Sequence, residues 1–170
     1  MELIIVISII AIVSIIVLPN YRSGSRLLTL ERSAHSLHHD IRRAQEMAMS
    51  ATEHPFGSGN VPSGFGIVLS ENDNYYRIYA DTNGDEIFDL NPGDDDIISQ
   101  IPLEGGVFIS SISIGGSGAI NFKSPDPTIR IHQAGTNESL GLIRITLRID
   151  PPGATRTITV NSAGSIYLDN

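Results

Sequence analysis

The sequence ELIIVISIIAIVSIIVLP, residues 2–19, decides how this chain is interpreted. Glu2 is the only charged residue before an apolar run that extends from Leu3 to Leu18 and stops at Pro19. At about 1.5 Å per residue, the run gives roughly 24 Å of helix, slightly less than a hydrocarbon core of about 30 Å. The run therefore predicts one helix that is compatible with a membrane.

Few polar groups interrupt this run. Ser8 and Ser14 are its only polar residues, and both hydroxyls can bond back to carbonyls of the same helix. Glu2 is different, because an ionised carboxylate at bilayer depth costs at least a few kcal/mol unless a partner awaits it. We therefore predict that Glu2 is a functional residue.

Two other interpretations of the run are a cleaved secretory signal and an ordinary membrane anchor. A signal peptide has a basic region before its apolar stretch and a small-residue cleavage site after it. Here Met-Glu precedes the run and Pro-Asn-Tyr-Arg follows it. The signal peptide is therefore disfavoured, whereas the ordinary anchor stays open.

The sequence after Pro19 changes to an amphipathic helical pattern. Apolar residues recur at spacings of three and four, which places them on one helix face: Leu27, Leu30, Ala34, Leu37, Ile41, Ala44 and Ala48. The helix should end before Pro55. We expect this face to pack on a sheet rather than in a stand-alone coiled coil, because strand-like segments follow it.

The remaining sequence alternates in the manner of β-strands separated by Gly, Pro and Asn turns. After an exposed loop at 53–66, strands are predicted at 65–69, 75–80, 97–101, 107–114, 120–122, 129–132, 142–149, 155–160 and 165–168. The predicted fold class is α+β, with a long hydrophobic-then-amphipathic helix packed on an antiparallel β-sheet head. The segments are 1–19, a membrane or filament-core helix; 20–52, its amphipathic continuation; and 53–170, the β-rich head.

Charge and composition exclude several functions. Residues 53–170 carry six basic and fifteen acidic side chains, so the head has a net charge near −9 and lacks a basic stripe for nucleic acid. There is no cysteine, which excludes disulfides and covalently attached c-type haem. No Gly-x-Ser-x-Gly nucleophile motif occurs, and we predict no enzymatic activity and no catalytic residue.

The segment DTNGDEIFD, residues 81–89, is the strongest candidate for a ligand site in the head. Oxygen-bearing groups at positions one, three, five, seven and nine suit a hard cation such as calcium, and a carboxylate just beyond could complete the set. The candidate ligands are Asp81, Asn83, Asp85, the Ile87 carbonyl, Asp89 and Asp94. Glu86 stands where an EF-hand has glycine, so the loop is not predicted to be an EF-hand. The alternative is a solvated acidic hairpin turn, for which Asp, Asn and Gly are favoured anyway.

Residues 1–12 resemble the start of processed type IV pilins and pseudopilins, in which Phe-Thr-Leu-x-Glu leads into an apolar helix. Glu2 and Pro19 are seventeen positions apart, like the carboxylate and the helix-kinking proline of that superfamily, and Pro19-Asn20-Tyr21 fits its Pro-x-Tyr pattern. Neither Phe-Thr-Leu nor the basic, glycine-ended leader precedes Glu2, so we expect the mature N-terminus to lie upstream of Met1.

The head resembles the FimT/GspH branch of pseudopilins. Residues 81–94, which end Asn-Pro-Gly-Asp, are similar to an acidic loop of that branch, and residues 157–164 are similar to its final hairpin. DNA-binding members carry a basic tail, whereas Gly164-Ser165-Ile166-Tyr167 has no positive charge. A role in DNA uptake is therefore disfavoured.

The resemblance implies a structural subunit of a type IV pilus-like extracellular filament. It implies that Glu2 meets the N-terminal amine of a neighbouring copy, that Pro19 bends the helix, and that the N-terminus is methylated. It also implies a prepilin peptidase, an assembly ATPase and a platform protein as partners, with the chain in the cytoplasmic membrane before assembly. Alternatives are a minor pseudopilin of a type II secretion system, a non-polymerising membrane-anchored calcium-binding or adhesive module, and, last, an anchored hydrolase.

Overall fold

A computed structural model describes residues 2–53, 61–89, 95–126, 128–150 and 153–169. One run of helical backbone, α1, extends over Glu2–Met49. Its side chains are described in two stretches, 2–15 and 24–49. The helix ends where Ala51 takes a left-handed φ of 46° and the Thr52 N–H donates to the Met47 carbonyl, which satisfies one of the last helical acceptors.

Among the described residues, nine strands follow the helix, and every pairing shown between them is antiparallel. They are β1 (Gly64–Ser70), β2 (Tyr75–Asp81), β3 (Asp95–Pro102), β4 (Val107–Ile112), β5 (Ser117–Lys123), β6 (Ile129–Gln133), β7 (Leu142–Ile149), β8 (Thr155–Asn161) and β9 (Ile166–Asp169). Each of the nine lies where the alternation pattern predicts a strand, with ends that differ by up to three residues. They form a five-stranded sheet in the order β3-β2-β1-β5-β6 and a four-stranded sheet in the order β4-β7-β8-β9.

The second stretch of the helix packs against both sheets through one face. The predicted apolar face is confirmed from Leu30 onwards, because six of its members have no exposed surface: Leu30, Ala34, Leu37, Ile41, Ala44 and Ala48. Leu27 is 39% exposed, so the packed face begins one turn later than the pattern predicts. This face contacts β1 and β5 of one sheet and β4, β7, β8 and β9 of the other.

Polar contacts fix the helix at the edges of this packed face. The Tyr76 hydroxyl donates to buried Asp40 at 2.5 Å, and the Glu104 N–H donates to the hydroxyl of Ser33 at 3.1 Å. Arg156 on β8 pairs with Glu31 at 2.8 Å. Since these contacts reach both sheets, the helix position is defined by the whole head.

The predicted fold class is wrong. The described residues form helical stretches of 14 and 26 residues and nine antiparallel strands in two sheets, so the chain is strand-rich and is not a long N-terminal helix on a β-sheet head. The cause is strand pairing that alternation does not encode, since a period of two identifies a strand but not its partner. β4 pairs with β7 instead of its sequence neighbour β3, and this pairing starts the second sheet.

The five-stranded sheet buries both of its faces around β1. Phe65, Ile67 and Leu69 belong to the main core, whereas Val68 belongs to a smaller cluster on the opposite face, the outer face. Phe88 from the β2–β3 connection completes that cluster together with Tyr79 and Ala119. The described part of this connection, residues 82–89, therefore covers the outer face of the sheet.

Candidate functional site

The first candidate surface is the apolar stretch, which we define as residues 3–15. Its large side chains are between 51% and 73% exposed on all sides of the helix: Leu3, Ile4, Ile5, Val6, Ile7, Ile9, Ile10, Ile12, Val13 and Ile15. The Ser8 hydroxyl donates to the Ile4 carbonyl at 2.8 Å and the Ser14 hydroxyl to the Ile10 carbonyl at 2.7 Å. Since both hydroxyls bond within the helix, the stretch presents hydrocarbon to its surroundings.

The two residues expected to act in assembly both lie on α1. Glu2 is exposed in the first helical turn, where a carboxylate also interacts favourably with the helix dipole. Pro19 is within the helical backbone, and its side chain lies outside the described residues. Among the residues that the structure describes, no helix is long and apolar enough to cross a membrane.

The second candidate surface is the acidic loop, residues 82–89, which leaves β2 after Asp81. Asp81 is fully buried, and its carboxylate accepts the N–H of Gly84 at 2.6 Å and the N–H of Glu86 at 3.1 Å. The side-chain amide of Asn121 on β5 also donates to it, at 3.3 Å. Burial raises the pKa of Asp81, although these donors act against the rise. Asp81 is thus the centre around which the loop turns.

The next polar side chains continue this turn. Asn83 Oδ1 accepts the N–H of Asp85 at 3.1 Å, and Asp85 Oδ1 accepts the N–H of Ile87 at 2.8 Å. Glu86 takes a left-handed φ of 64°, a conformation that few side chains adopt. Side-chain acceptors at positions one, three and five therefore all face the backbone of the same short turn.

Three contacts anchor the loop to the sheet beneath it. Glu86 pairs with Lys123 of β5 at 2.7 Å and with Arg130 of β6 at 3.7 Å. The Phe88 N–H donates to His132 Nε2 at 3.0 Å. Because Nε2 accepts, the ring is neutral, and burial together with nearby Arg130 lowers the pKa of His132 to about 4. The loop is consequently ordered by charge pairing, aromatic packing and a buried imidazole.

Beneath the loop lies a group of buried polar residues that we call the polar floor: Tyr79, Asp95, Asn121 and His132. Asp95 Oδ2 accepts the N–H of Asp89 at 2.9 Å, which joins the floor to the end of the loop. Burial, with nearby Asp81, Asp85 and Asp89, raises the pKa of Asp95 to about 7. Burial also raises the pKa of Tyr79 well above its usual value, with Asp95 adding to the effect and a side-chain hydrogen bond with Asn121 opposing it.

Two glycines on β1 make room for the floor. A side chain at Gly66 would place its Cβ 2.5 Å from the Ile120 carbonyl oxygen and 2.5 Å from the Tyr79 ring. At Gly64, a Cβ would lie 2.6 Å from Asn121 Oδ1. Since real Cβ atoms do not approach so closely, glycine at these positions lets Tyr79 and Asn121 lie flat against the strand.

Gly66→Ala is therefore expected to lower the free energy of unfolding by about 1–3 kcal/mol, because a backbone carbonyl and a packed ring must both move. The matched control is Gly141→Ala, since a Cβ at that position meets nothing within 4 Å. Thermal unfolding followed by circular dichroism measures both variants. Equal stability of the two variants would contradict the close approach at Gly66.

The structure brings most of the predicted calcium ligands into one loop, but in different environments. Asp81 is buried, Asn83 and Asp85 are exposed, Ile87 and Asp89 are half-buried, and Asp94 lies outside the described residues. Within the described ranges, no group of three or more His, Cys, Asp and Glu side chains is arranged to hold a metal ion. The predicted ligands Asn83, through its side-chain amide, and Ile87, through its backbone carbonyl, do not belong to those four residue types.

Sequence reasoning missed the polar floor. Tyr79 and Asp81 are two residues apart on β2, so alternation alone places them on the same face. Asn121 and His132 carry no such signal, because only the pairing of β5 with β1 and β6 brings them under the loop.

No protein-family model matches the sequence, and comparisons with curated proteins and with solved structures give no match.

Proposed function

We propose that this chain is the structural subunit of a type IV pilus-like extracellular filament and that copies of it polymerise through the apolar stretch. The observation that carries the proposal is the exposure of large aliphatic side chains on every side of residues 3–15. A helix that is apolar all round is stable when a membrane or other helices bury it. A bundle of identical helices buries such a surface completely.

The proposal gives Glu2 a defined partner. When helices bundle, a carboxylate at the edge of the apolar stretch enters an apolar filament core, where an unpaired charge is costly. The N-terminal amine of a neighbouring copy has the opposite charge and satisfies it. Glu2 thereby sets the register between neighbouring copies, because only one axial offset brings the two groups together.

The proposal also assigns a location and an assembly machinery. The apolar run, which continues in sequence to Leu18, is held in the cytoplasmic membrane before assembly and in the filament core afterwards. Lipid already shields these side chains, so their transfer into the filament releases little free energy. Extraction therefore uses an assembly ATPase and a platform protein, after a prepilin peptidase has produced the mature N-terminus. The head, with its net charge near −9, then faces outward and repels nucleic acid.

The test is electron microscopy of material sheared from the surface of producing cells, with mass spectrometry of its composition. We expect long filaments composed mainly of this chain, with a methylated N-terminal residue. A chain that is absent from filaments and retained in membranes would overturn the proposal. It would favour a minor pseudopilin of a type II secretion system or a non-polymerising anchored module.

A further inference from the structure

The face of α1 that is turned away from the head carries basic side chains. Six residues from Arg32 to Glu46 recur at helical spacing, and all six are exposed. At about 3.6 residues per turn, they lie on the side of the helix opposite the buried Leu37 and Ile41. Five of the six are basic residues, and we call these five the basic stripe: Arg32, His35, His39, Arg42 and Arg43.

Little within the chain offsets the charge of the arginines in the basic stripe. Arg32 lies 3.7 Å from Glu104, but both side chains are largely exposed, and such pairs are weak. Arg42 and Arg43 form no ion pair with any other residue that the structure describes. Glu46, at the end of this face, is its one described carboxylate. The stripe is therefore a positively charged surface without a partner in the described chain.

The acidic loop lies on the opposite side of the five-stranded sheet. Along β1, Ile67 belongs to the core against which α1 packs, whereas Val68 belongs to the outer cluster together with Phe88 of the loop. Alternate residues of a strand point to opposite faces, so the sheet separates α1 from the loop. The basic stripe is turned away from that sheet. The stripe and the loop therefore cannot meet within one chain.

Negative charge predominates at the acidic loop. Asp85 is exposed, as are the three residues before it. The basic side chains that contact the loop are Lys123 and Arg130, and both pair with Glu86. Five carboxyl groups lie in or beneath the loop and outnumber these two cations: Asp81, Asp85, Glu86, Asp89 and Asp95. The molecule thus has surfaces of opposite charge on opposite sides.

We propose that the basic stripe of one copy binds the acidic loop of a second copy of this chain. This inference rests on the filament proposed above, in which many copies lie side by side. Two different surfaces meet in the contact, and they lie on opposite sides of the molecule, so copies add in one direction instead of closing a dimer. Exposed ion pairs are individually weak. The contact therefore orients neighbouring heads, whereas the apolar stretch supplies the cohesion.

A second copy suits the basic stripe better than an anionic membrane or nucleic acid does. Every copy supplies one stripe and one loop, so a contact between copies occupies both charged surfaces. A phosphate-bearing surface would occupy the stripe alone. Its other phosphates would face a head with a net charge near −9, which repels them.

The experiment measures self-association of the full chain in nonionic detergent by sedimentation equilibrium. Detergent covers the apolar stretch, so association through the heads is measured separately from filament formation. The Debye length is about 30 Å at 0.01 M salt and about 3 Å at 1 M, so we expect the Kd to rise at least about tenfold between these concentrations. Filaments on cells without head association in detergent would overturn this contact alone. Head association without filaments would support the contact and overturn the proposed function.

Charge reversals on the two surfaces locate the contact. The double variant Arg42→Glu/Arg43→Glu and the variant Asp85→Lys should each weaken self-association at least about tenfold, because like charges then face each other. An equimolar mixture of the two should associate like the wild type, since the native loop of one meets the native stripe of the other. Asp85→Asn keeps the oxygen that accepts the Ile87 N–H and should weaken association in the same direction. The matched control, Arg144→Glu, reverses an exposed charge on β7 and should leave the Kd unchanged.

Circular dichroism verifies that each variant is folded. The proposal would be overturned if the wild type showed no salt-dependent association, or if folded Arg42→Glu/Arg43→Glu had the wild-type Kd. A mixture that associates no better than its two components would also contradict it. If the double variant lost binding to phosphatidylglycerol vesicles with its self-association unchanged, the partner of the stripe would be an anionic lipid surface instead.

Discussion

Replacing Ile7 with aspartate is expected to abolish self-assembly while leaving the head folded. Ile7 is 58% exposed in the middle of the apolar stretch, so the charge does not disturb any packed residue of the head. In a helix bundle the same carboxylate would be buried without a partner, which costs about 3–5 kcal/mol per subunit. Because about 1.4 kcal/mol corresponds to tenfold in an equilibrium constant, association should weaken at least about 100-fold.

The measurement counts filaments in sheared preparations and determines the size of the detergent-extracted chain. Two controls separate charge from position. Ile7→Val keeps the apolar surface and should assemble, and Ser25→Asp places the same charge on an exposed part of α1 beyond the apolar stretch. Normal filament numbers for Ile7→Asp would show that this stretch does not form the filament core. Loss of filaments in Ser25→Asp as well would mean that assembly responds to charge anywhere on α1.

Leu37→Ala is expected to lower the free energy of unfolding by about 2–5 kcal/mol. Leu37 has no exposed surface and lies in the middle of the helix face that packs against the sheets. The substitution removes buried hydrocarbon and leaves a cavity between layers that cannot fully close, because polar contacts at Asp40 and Glu31 hold the helix in place. For a chain of this size, each kcal/mol corresponds to roughly 2–4 °C in Tm.

The matched control for this change is Leu28→Ala on the same helix. Leu28 is 53% exposed, so the same truncation should change the free energy of unfolding by no more than about 0.5 kcal/mol. Thermal and urea unfolding of both variants, followed by circular dichroism, provides the comparison. If both variants unfolded at the wild-type temperature, the helix would not be part of the cooperative core of the head.

Local patterns predicted many individual elements correctly. The spacing of Leu30, Ala34 and Leu37 predicted which face of α1 is buried, because residues three and four apart share a helix face whatever the rest of the chain does. Alternation likewise located every strand of the described residues, including β7 at Leu142–Ile149 with both ends correct. These successes depend on the backbone geometry of single elements.

The acidic loop shows where such reasoning stops. Oxygen spacing singled out Asp81 to Asp89, and the glutamate at position six argued that the loop is not an EF-hand. Glu86 takes a left-handed φ of 64° at that position, and its side chain pairs with Lys123 and Arg130 from two other strands. Neither partner is a sequence neighbour of Glu86, so local conformational rules alone did not predict this conformation.

By itself, the sequence determined the positions of the strands, the buried face of the helix, the exposed apolar stretch and the acidic loop. Each of these follows from short-range periodicity or from side-chain chemistry within about ten residues. Only the tertiary structure decided that β4 pairs with β7, that the strands form two sheets, and that Tyr79, Asn121, Asp95 and His132 meet under one loop. Those outcomes depend on pairing between distant segments. The favoured pairing is the one that buries the apolar faces of all the strands together, and no single segment encodes it.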